Sequence, residues 1–291
     1  MSKRVLVIGA ARSGLAAVDF LRKHQWEVIL TDMKPVTEEA VLAHLEALDV
    51  QTIWGEQPDV KRLAPELIVI SPGIPLTIPP AVAAKALGIP IINETELAFR
   101  AAKAPFVAIT GTNGKTTTTT LVGELLEGSG RQVVVGGNIG LPLVSVVEEL
   151  GAEDVIVAEM SSFQLETTVS FKPKVAVMLN LTPDHLDRHG DMQGYLEAKA
   201  KIFAQQDETD YLILNADDAY LAPLADRARS QVIFFSQQHI LKEGVFLRGD
   251  SVIFSRGGVE TSICQRAEIA IKGAHNLENA MAAIAAAMLM G

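Results

Sequence analysis

The run Gly111-Thr112-Asn113-Gly114-Lys115-Thr116 combines two glycines, a lysine and hydroxyls at a spacing suited to holding phosphate. Small residues let backbone N–H groups turn toward phosphate oxygens, and a helix that starts at the lysine adds positive potential. Lys115 is then placed to reach the β- and γ-phosphates, and the Thr116 hydroxyl to ligate Mg²⁺. The usual G-x-x-x-x-G-K-[ST] pattern asks for glycine where this chain has Ile109, so the loop is a shorter variant that opens at Gly111. An apolar run before it and a helical run after it supply the strand-to-helix context in which such a loop works.

A second glycine turn, Gly9-Ala10-Ala11-Arg12-Ser13-Gly14, follows the first apolar run, and Asp32 ends the next one. The turn approximates the dinucleotide pattern G-x-G-x-x-G, with Ala11 in place of the middle glycine, and the acid stands where a ribose contact is expected. Without that glycine a dinucleotide pyrophosphate approaches less easily. A uridine diphosphate can use the same helix N-terminus. Both ligands stay open on spacing alone.

Further along, Glu159 closes an apolar run, and a carboxylate at the C-terminal edge of a parallel sheet suits Mg²⁺ ligation or the orienting of a nucleophile. The cluster Asp184-His185-Leu186-Asp187-Arg188-His189 follows the next run, and its residue types suit metal and phosphate chemistry. His24, His44 and His239 read as ordinary surface or core residues. Lys199 and Lys201 fall on a helical stretch (195–203), where a lysine is by default solvated, and spacing alone does not single out Lys199.

These residues need a scaffold, and the hydropathy pattern supplies an α/β one. Short β-branched runs at 4–9, 26–32, 67–71 and 89–93 read as buried parallel strands. Helical spacing occupies 13–24, 38–48 and 80–87 between them. A second set of strands is expected at 106–111, 133–137, 154–160, 175–180, 211–216 and 232–236. A short helix at 95–102 bridges the two sets. The segment 244–256 reads as a hairpin turning at 248–250, then a last strand at 267–272 and an alanine-rich helix at 276–290. With 291 residues and roughly 100–200 per domain, two domains are expected.

Composition narrows the function. The formal charge of −10 gives no overall field to attract nucleic acid or an anionic membrane. With 48% hydrophobic and 21% charged residues the chain is globular. The single cysteine, Cys264, excludes an intrachain disulfide and fits a reducing, cytoplasmic setting. The first apolar run is broken by Gly9 and Arg12, so no secretory signal is expected. The longest apolar run, 280–290, is too short to span a bilayer, so no integral membrane segment is expected either.

Taken together, the segments resemble the Mur ligase family, ATP-dependent amide-forming enzymes of peptidoglycan assembly. The resemblance is carried by GAARSG (9–14), SPG (71–73), GTNGKTT (111–117), GGNIGLPL (136–143), EMSSFQLE (159–166), LNLTPDHLDRHG (179–190), YLEAKAKIF (195–203), LNADD (214–218) and GAHNLENA (273–280). They are collinear and span the chain. The FQLE and GGNIG segments favour the branch that adds D-glutamate.

The resemblance implies a Rossmann-like N-terminal domain (1–94) that binds the UDP end of the substrate through Ser13, Asp32 and the Ser71-Pro72-Gly73 turn. Lys34 stands where some members have arginine. It implies a central P-loop ATPase-type domain (95–291) with a mostly parallel sheet. There Gly111, Thr112, Asn113, Gly114, Lys115, Thr116 and Thr117 hold ATP, with Asn276 and Asn279 near the adenine. Asn138, Ser161, Gln164 and His185 line the muramoyl-peptide site. Thr116 and Glu159 ligate one Mg²⁺ and His185 a second, with Lys199 carbamoylated by CO₂ to serve as an oxygen ligand. Lys115, Glu159, His185 and Lys199 form the catalytic set.

In the implied reaction the carboxylate of UDP-N-acetylmuramoyl-L-alanine attacks the γ-phosphate of ATP, and D-glutamate displaces phosphate from the acyl phosphate. Family members carry a third, C-terminal domain where this chain stops. The expectation is therefore a monomer that binds the UDP substrate and does not ligate. Three other readings compete: a nicotinamide-dependent oxidoreductase using residues 9–14, a P-loop ATPase that moves a partner, and a non-catalytic binding module. The first leaves the 111–116 loop without a task, and the second leaves the first domain without one.

Overall fold

The computed structural model describes residues 3–291, which divide into two compact units. The first comprises residues up to 102 together with 142–149 and 167–169, and the second holds the remainder.

In the first unit β1 (Arg4–Ile8), α1 (Arg12–Lys23), β2 (Glu27–Asp32), α2 (Glu39–Ala47), β3 (Gln51–Trp54), α3 (Val60–Leu63), β4 (Leu67–Ile70), α4 (Pro79–Ala86), β5 (Ile91–Ile92) and α5 (Glu94–Ala101) alternate along the chain. The sheet order is β3-β2-β1-β4-β5, and all pairs are parallel. β1 and β4 are buried along nearly their whole length, as strands covered on both faces must be. The order reverses beside β1, so the turns after β1 and β4 meet at a switch point, the place where such sheets bind ligands. There the Ser71 N–H donates to the Ile8 carbonyl. A Cβ on Gly14 would sit 1.8 Å from the Gly9 carbonyl oxygen, so only glycine lets α1 start this close to the strand. Helix α5 is capped by Asn93, whose side chain accepts from the Glu96 N–H. Its first turn grips the two returning segments of this unit. Glu94 accepts from the Val144 N–H at 2.7 Å, and Glu96 from the Val169 N–H at 3.0 Å.

The second unit contains β6 (Phe106–Thr110), α6 (Lys115–Glu127), β7 (Val133–Gly137), β8 (Val155–Glu159), α7 (Ser162–Glu166), β9 (Val175–Met178), α8 (Leu186–His189), α9 (Met192–Ala200), β10 (Tyr211–Asn215), β11 (Gln231–Ser236), β12 (Gly244–Arg248), β13 (Ser251–Arg256), β14 (Val259–Gln265) and α10 (Ala274–Met290). Its nine strands run β14-β13-β12-β11-β10-β9-β6-β8-β7, parallel from β7 to β12 and antiparallel at β13 and β14. The core joins Val107, Val122, Val157, Val177, Ile213 and Phe235 to the α10 face carrying Leu277, Met281 and Ala285. Alanines at 282, 283, 285 and 286 are wholly buried, and their small size lets α10 pack closely.

The architecture is α/β with mostly parallel sheets. Two strands depart from the sequence pattern. No strand forms at 267–272; residues 266–268 make a 3-10 turn closed by a capping box between Gln265 and Glu268. The last strand is instead β14, entered through Gly257-Gly258. It is an edge strand with polar, exposed positions, so it shows no apolar run. β3, also an edge strand, was equally silent because its four residues, half-buried after Gln51, are too few for an apolar run. Among the described residues no helix is long and apolar enough to cross a membrane.

Candidate active site

Strands β6, β8, β9 and β10 run parallel, so their following loops gather along one edge. The turn after β6 is the 111–114 segment, where the sequence leads one to expect a phosphate loop. Gly114 caps α6 with φ +82°, and a Cβ there would stand 2.2 Å from the Asn279 side-chain oxygen, so glycine is required twice over. The loop is braced from β9. Thr112 N–H donates to the Asn180 carbonyl, Asn113 N–H to the Asn180 side-chain oxygen at 2.9 Å, and Asn180 Nδ2 returns a bond to the Asn113 carbonyl at 3.0 Å. Asn180 is a positioning residue that residue spacing did not single out; its place right after β9 was the available signal. Lys115 folds back onto the Gly111 and Thr112 carbonyls at 2.9 and 2.8 Å. Burial holds its amine below the usual lysine range, against the pull of Glu159 and Asp184.

Thr116 is the second residue of α6, and its hydroxyl donates to Glu159 Oε2 at 2.8 Å, while Asn138 Nδ2 donates to Oε1 at 3.0 Å. Glu159 is only 2% exposed, and both side-chain partners are neutral. A buried carboxylate whose hydrogen-bond donors are all neutral gains from positive charge, which here comes from the Lys115 amine and leaves room for a cation. Carboxylate and hydroxyl oxygens are the hard donors that Mg²⁺ takes, so this pair fits the metal. His185 and Lys199 are not hydrogen-bonded to the pair. Among the described residues no three His, Cys, Asp or Glu side chains form a ready metal cluster.

Lys199, on α9, is 1% exposed and donates to the Gly111 carbonyl at 2.8 Å, with its amine over the Tyr195 ring. Burial, with Lys115 adding to it, lowers its pKa to about 7, against the opposing pull of Asp184. Tyr195 in turn places its hydroxyl 3.4 Å from the Thr112 hydroxyl. His185 adopts φ +51°, with its ring 4.9 Å from that of Phe163 and edge-on to Tyr195 at 6.4 Å. The Ser161 hydroxyl and N–H both donate to Gln164 Oε1, so these two residues pair with each other at the start of α7.

A cavity of about 630 Å³ adjoins the phosphate loop, lined by Asn113, Thr117, Asp217, His275, Asn276 and Asn279 among others. Its size suits a nucleoside. Burial, with Asp217 and Asp218 reinforcing it, raises the Glu278 carboxyl there. Asp217, Asp218 and Glu278 escaped the motif reading as lining residues, although Asp217 and Asp218 end LNADD and Glu278 sits inside GAHNLENA.

In the first unit Asp32 is committed to the chain: its carboxylate accepts from the Ala10 N–H at 2.8 Å and the Lys34 N–H at 2.9 Å. It therefore shapes the 9–14 turn from β2. The Ser71 hydroxyl oxygen is buried without a hydrogen-bond partner. Ser13 is half-buried in the first turn of α1, Pro72 is half-buried, and Gly73 is exposed. A cavity of about 290 Å³ in this unit is walled by Ile8, Thr31, Asp32, Met33, Ile74 and Ile78 among others.

Residues 109–287 match the Mur ligase middle domain, and residues 3–93 the Mur ligase MurD-like N-terminal domain. The UDP-N-acetylmuramoylalanine--D-glutamate ligase of Pelotomaculum thermopropionicum is 51% identical over 290 residues, covering 99% of this chain and 64% of that protein. The enzyme of the same name from Desulfitobacterium hafniense is 47% identical, with 99% and 64% covered. The chain thus spans under two thirds of the length of these relatives. Among solved structures, UDP-N-acetylmuramate:L-alanyl-gamma-D-glutamyl-meso-diaminopimelate ligase from Neisseria meningitides superposes with a TM-score of 0.62 at 21% identity, over 100% of this chain and 94% of that one. That likeness is one of fold.

Proposed function

The chain belongs to the Mur ligase family, and on that premise we propose that it serves the ATP-dependent addition of D-glutamate to UDP-N-acetylmuramoyl-L-alanine. The observation that carries this reading is the buried Glu159 carboxylate, which accepts from the Thr116 hydroxyl beside the 111–116 loop. It is a cation site poised over a phosphate site, as phosphoryl transfer requires.

In this reading the loop N–H groups of residues 111–116 and the start of α6 hold the triphosphate, and Asn276 and Asn279 line the nucleoside cavity. Mg²⁺, held by Thr116 and Glu159 and at a second site by His185, would neutralise charge on the phosphates and on the substrate carboxylate. Lys115 leaves its loop carbonyls for the equatorial oxygens of the phosphoryl group. The carboxylate of the muramoyl-alanine, guided by Asn138, Ser161 and Gln164, attacks the γ-phosphorus of ATP, and ADP leaves with the electron pair of the broken P–O bond, giving an acyl phosphate. The D-glutamate amine then attacks that carbonyl, and phosphate leaves with the electron pair. A lysine with a pKa near 7 is largely neutral at pH 7.5. Lys199 can therefore add CO₂ through its lone pair and lose one proton, giving a carbamate. The carbamate is an oxygen donor where an ammonium would repel the metal.

The first unit binds the UDP end of the substrate. Its orphaned Ser71 hydroxyl at the switch point is the support, since buried hydroxyls seldom go unpaired. A thermal-shift comparison of UDP-N-acetylmuramoyl-L-alanine, MgATP and NADH on this chain tests the proposal. A ligand that binds only the folded state stabilises it by about 2.7 kcal/mol at a hundred times Kd. Stabilisation by the UDP sugar and by MgATP, with none by NADH, is expected. The opposite pattern would make the 9–14 turn a nicotinamide site and overturn the ligase reading.

A further inference from the structure

One side-chain network of the second unit has no part in the chemistry above. Ser162, the first residue of α7, is 2% exposed, and its hydroxyl lies 3.0 Å from His189 Nε2. On the other side of the ring, His189 Nδ1 lies 3.4 Å from Glu166 Oε1. Arg188 closes the set with a two-pronged contact to Glu166, at 3.3 and 2.6 Å, and lays its guanidinium 4.9 Å from the Phe163 ring centre. The His189 ring is stacked on Phe163 at 5.6 Å and packed on Tyr195 at 5.2 Å. The carboxylate beside Nδ1 selects the tautomer protonated there, leaving Nε2 to accept from the serine.

The order serine, histidine, carboxylate matches that of a hydrolytic triad. Ser162 is buried, however, and presents no nucleophile to a substrate. The network ties the turn 184–190 to α7 instead. That turn needs tying. His185 is a non-glycine residue in the left-handed region, and the four-residue α8 holds only three backbone bonds: Arg188 and His189 N–H to the His185 carbonyl, and Gly190 N–H to that of Leu186. Sparsely populated backbone conformations persist where the surroundings over-determine them.

We propose that Ser162, His189, Glu166 and Arg188 form a positioning relay that locks this turn and thereby presents His185 toward the phosphate-loop site. His189 is a positioning residue, acting through the backbone of α8. The role given to His185 rests on the ligase reading; the locking of the turn does not.

The experiment has two arms, both on Ser162→Ala, Ser162→Thr and His189→Phe, the last of which keeps the ring stacking and removes both polar contacts. The first arm is amide hydrogen exchange in the chain without metal or nucleotide. Exchange at Arg188, His189 and Gly190 is expected to quicken about tenfold or more in Ser162→Ala and His189→Phe. The rest of the second unit keeps its protection, and Ser162→Thr restores the parent rates. The second arm titrates Mg²⁺ against ATP binding. The half-saturating Mg²⁺ concentration is expected to rise about tenfold, the lower end of what losing a ligand's supporting contacts costs. Affinity for ATP in EDTA stays unchanged, a separation that general destabilisation would not produce.

Unchanged exchange in both disruptive variants would overturn the relay. Quickened exchange with an unchanged Mg²⁺ requirement would overturn its service to His185. If the parent chain bound no MgATP at all, the ligase reading would fall, while the exchange arm would still decide the relay.

Discussion

Lys199 shows how burial converts an ordinary side chain into a reactive one. Lys199 and Glu159 are both almost wholly enclosed at one sheet edge, and each is hydrogen-bonded to neutral groups, with an opposite charge acting on it only from a distance: Asp184 on Lys199, Lys115 on Glu159. For Lys199 the cost of charging a buried amine, with Lys115 adding to it, brings the pKa to about 7. The sign of the consequence is fixed: the carbamate forms from the neutral amine with release of a proton, so its population falls as pH drops through 7. With ¹³C-labelled CO₂, a carbamate resonance is expected on this chain at pH 8. It falls at least about tenfold per unit below pH 7, because the neutral fraction of the amine alone falls by that factor. Lys199→Met abolishes the signal. A resonance that persists in that variant would assign the carbamate to another amine. Helix spacing gave no hint of this chemistry, because a lysine on α9 reads as solvated until the tertiary fold places Gly111 and Tyr195 around it. Family resemblance singled the residue out; its burial is what physical reasoning from one chain could not supply.

At the scale of elements, the strands that position the site were legible because they are buried on both faces and read as unbroken apolar runs: β6, β8 and β9 are examples. The phosphate loop was legible because glycine and lysine sit at a strand-to-helix turn. What the sequence hid was polar and at the margin. β3 and β14 edge their sheets, and the segment 267–272, apolar enough to suggest a strand, spends its start on a capping box. The first turn of α5 hid something else. Glu94 reads as a favourable charge at a helix N-terminus. It is in fact buried, and burial raises its pKa to about 7 despite hydrogen bonds from the backbone of Val144 and from Thr95. The folded state therefore binds this proton more tightly than the unfolded chain does. Its contribution to stability is full below pH 4.5 and is lost as pH rises to 7. Glu94→Gln keeps an oxygen for the Val144 N–H and removes the charge. The variant is expected to gain on the order of 2 kcal/mol over the parent between pH 5 and pH 8 in urea unfolding. A difference between the two proteins that does not vary with pH would show that Glu94 titrates normally.

For the whole molecule, chain order and compact unit do not coincide. The first unit is assembled from three stretches, and two of them, 142–149 and 167–169, are reached only after the chain has entered the second sheet. A boundary near residue 94 follows the strand pattern, whereas the hydrogen bonds of α5 follow the returning segments. Asn93 donates to the Thr167 hydroxyl, Glu94 receives Val144 and Glu96 receives Val169. These are buried polar groups, and removing one partner of such a bond costs about 1–3 kcal/mol, more when the group left behind is charged. A 102-residue fragment would strand three of them at once and uncover the apolar face that Leu143, Val144 and Val147 now shield. Small domains are stable by only about 5–15 kcal/mol. The fragment 1–102 is therefore expected to unfold at a urea midpoint well below that of the first unit within the intact chain, or to populate a loosely packed state with lost near-ultraviolet dichroism. Supplying 142–149 in trans as a peptide should raise that midpoint, and Val144→Pro in the peptide, which deletes the N–H that Glu94 accepts, should not. A fragment as stable as the unit in the whole chain would mean that the β1–β5 sheet needs no help from the returning segments, and that the Glu94 and Glu96 bonds contribute nothing net.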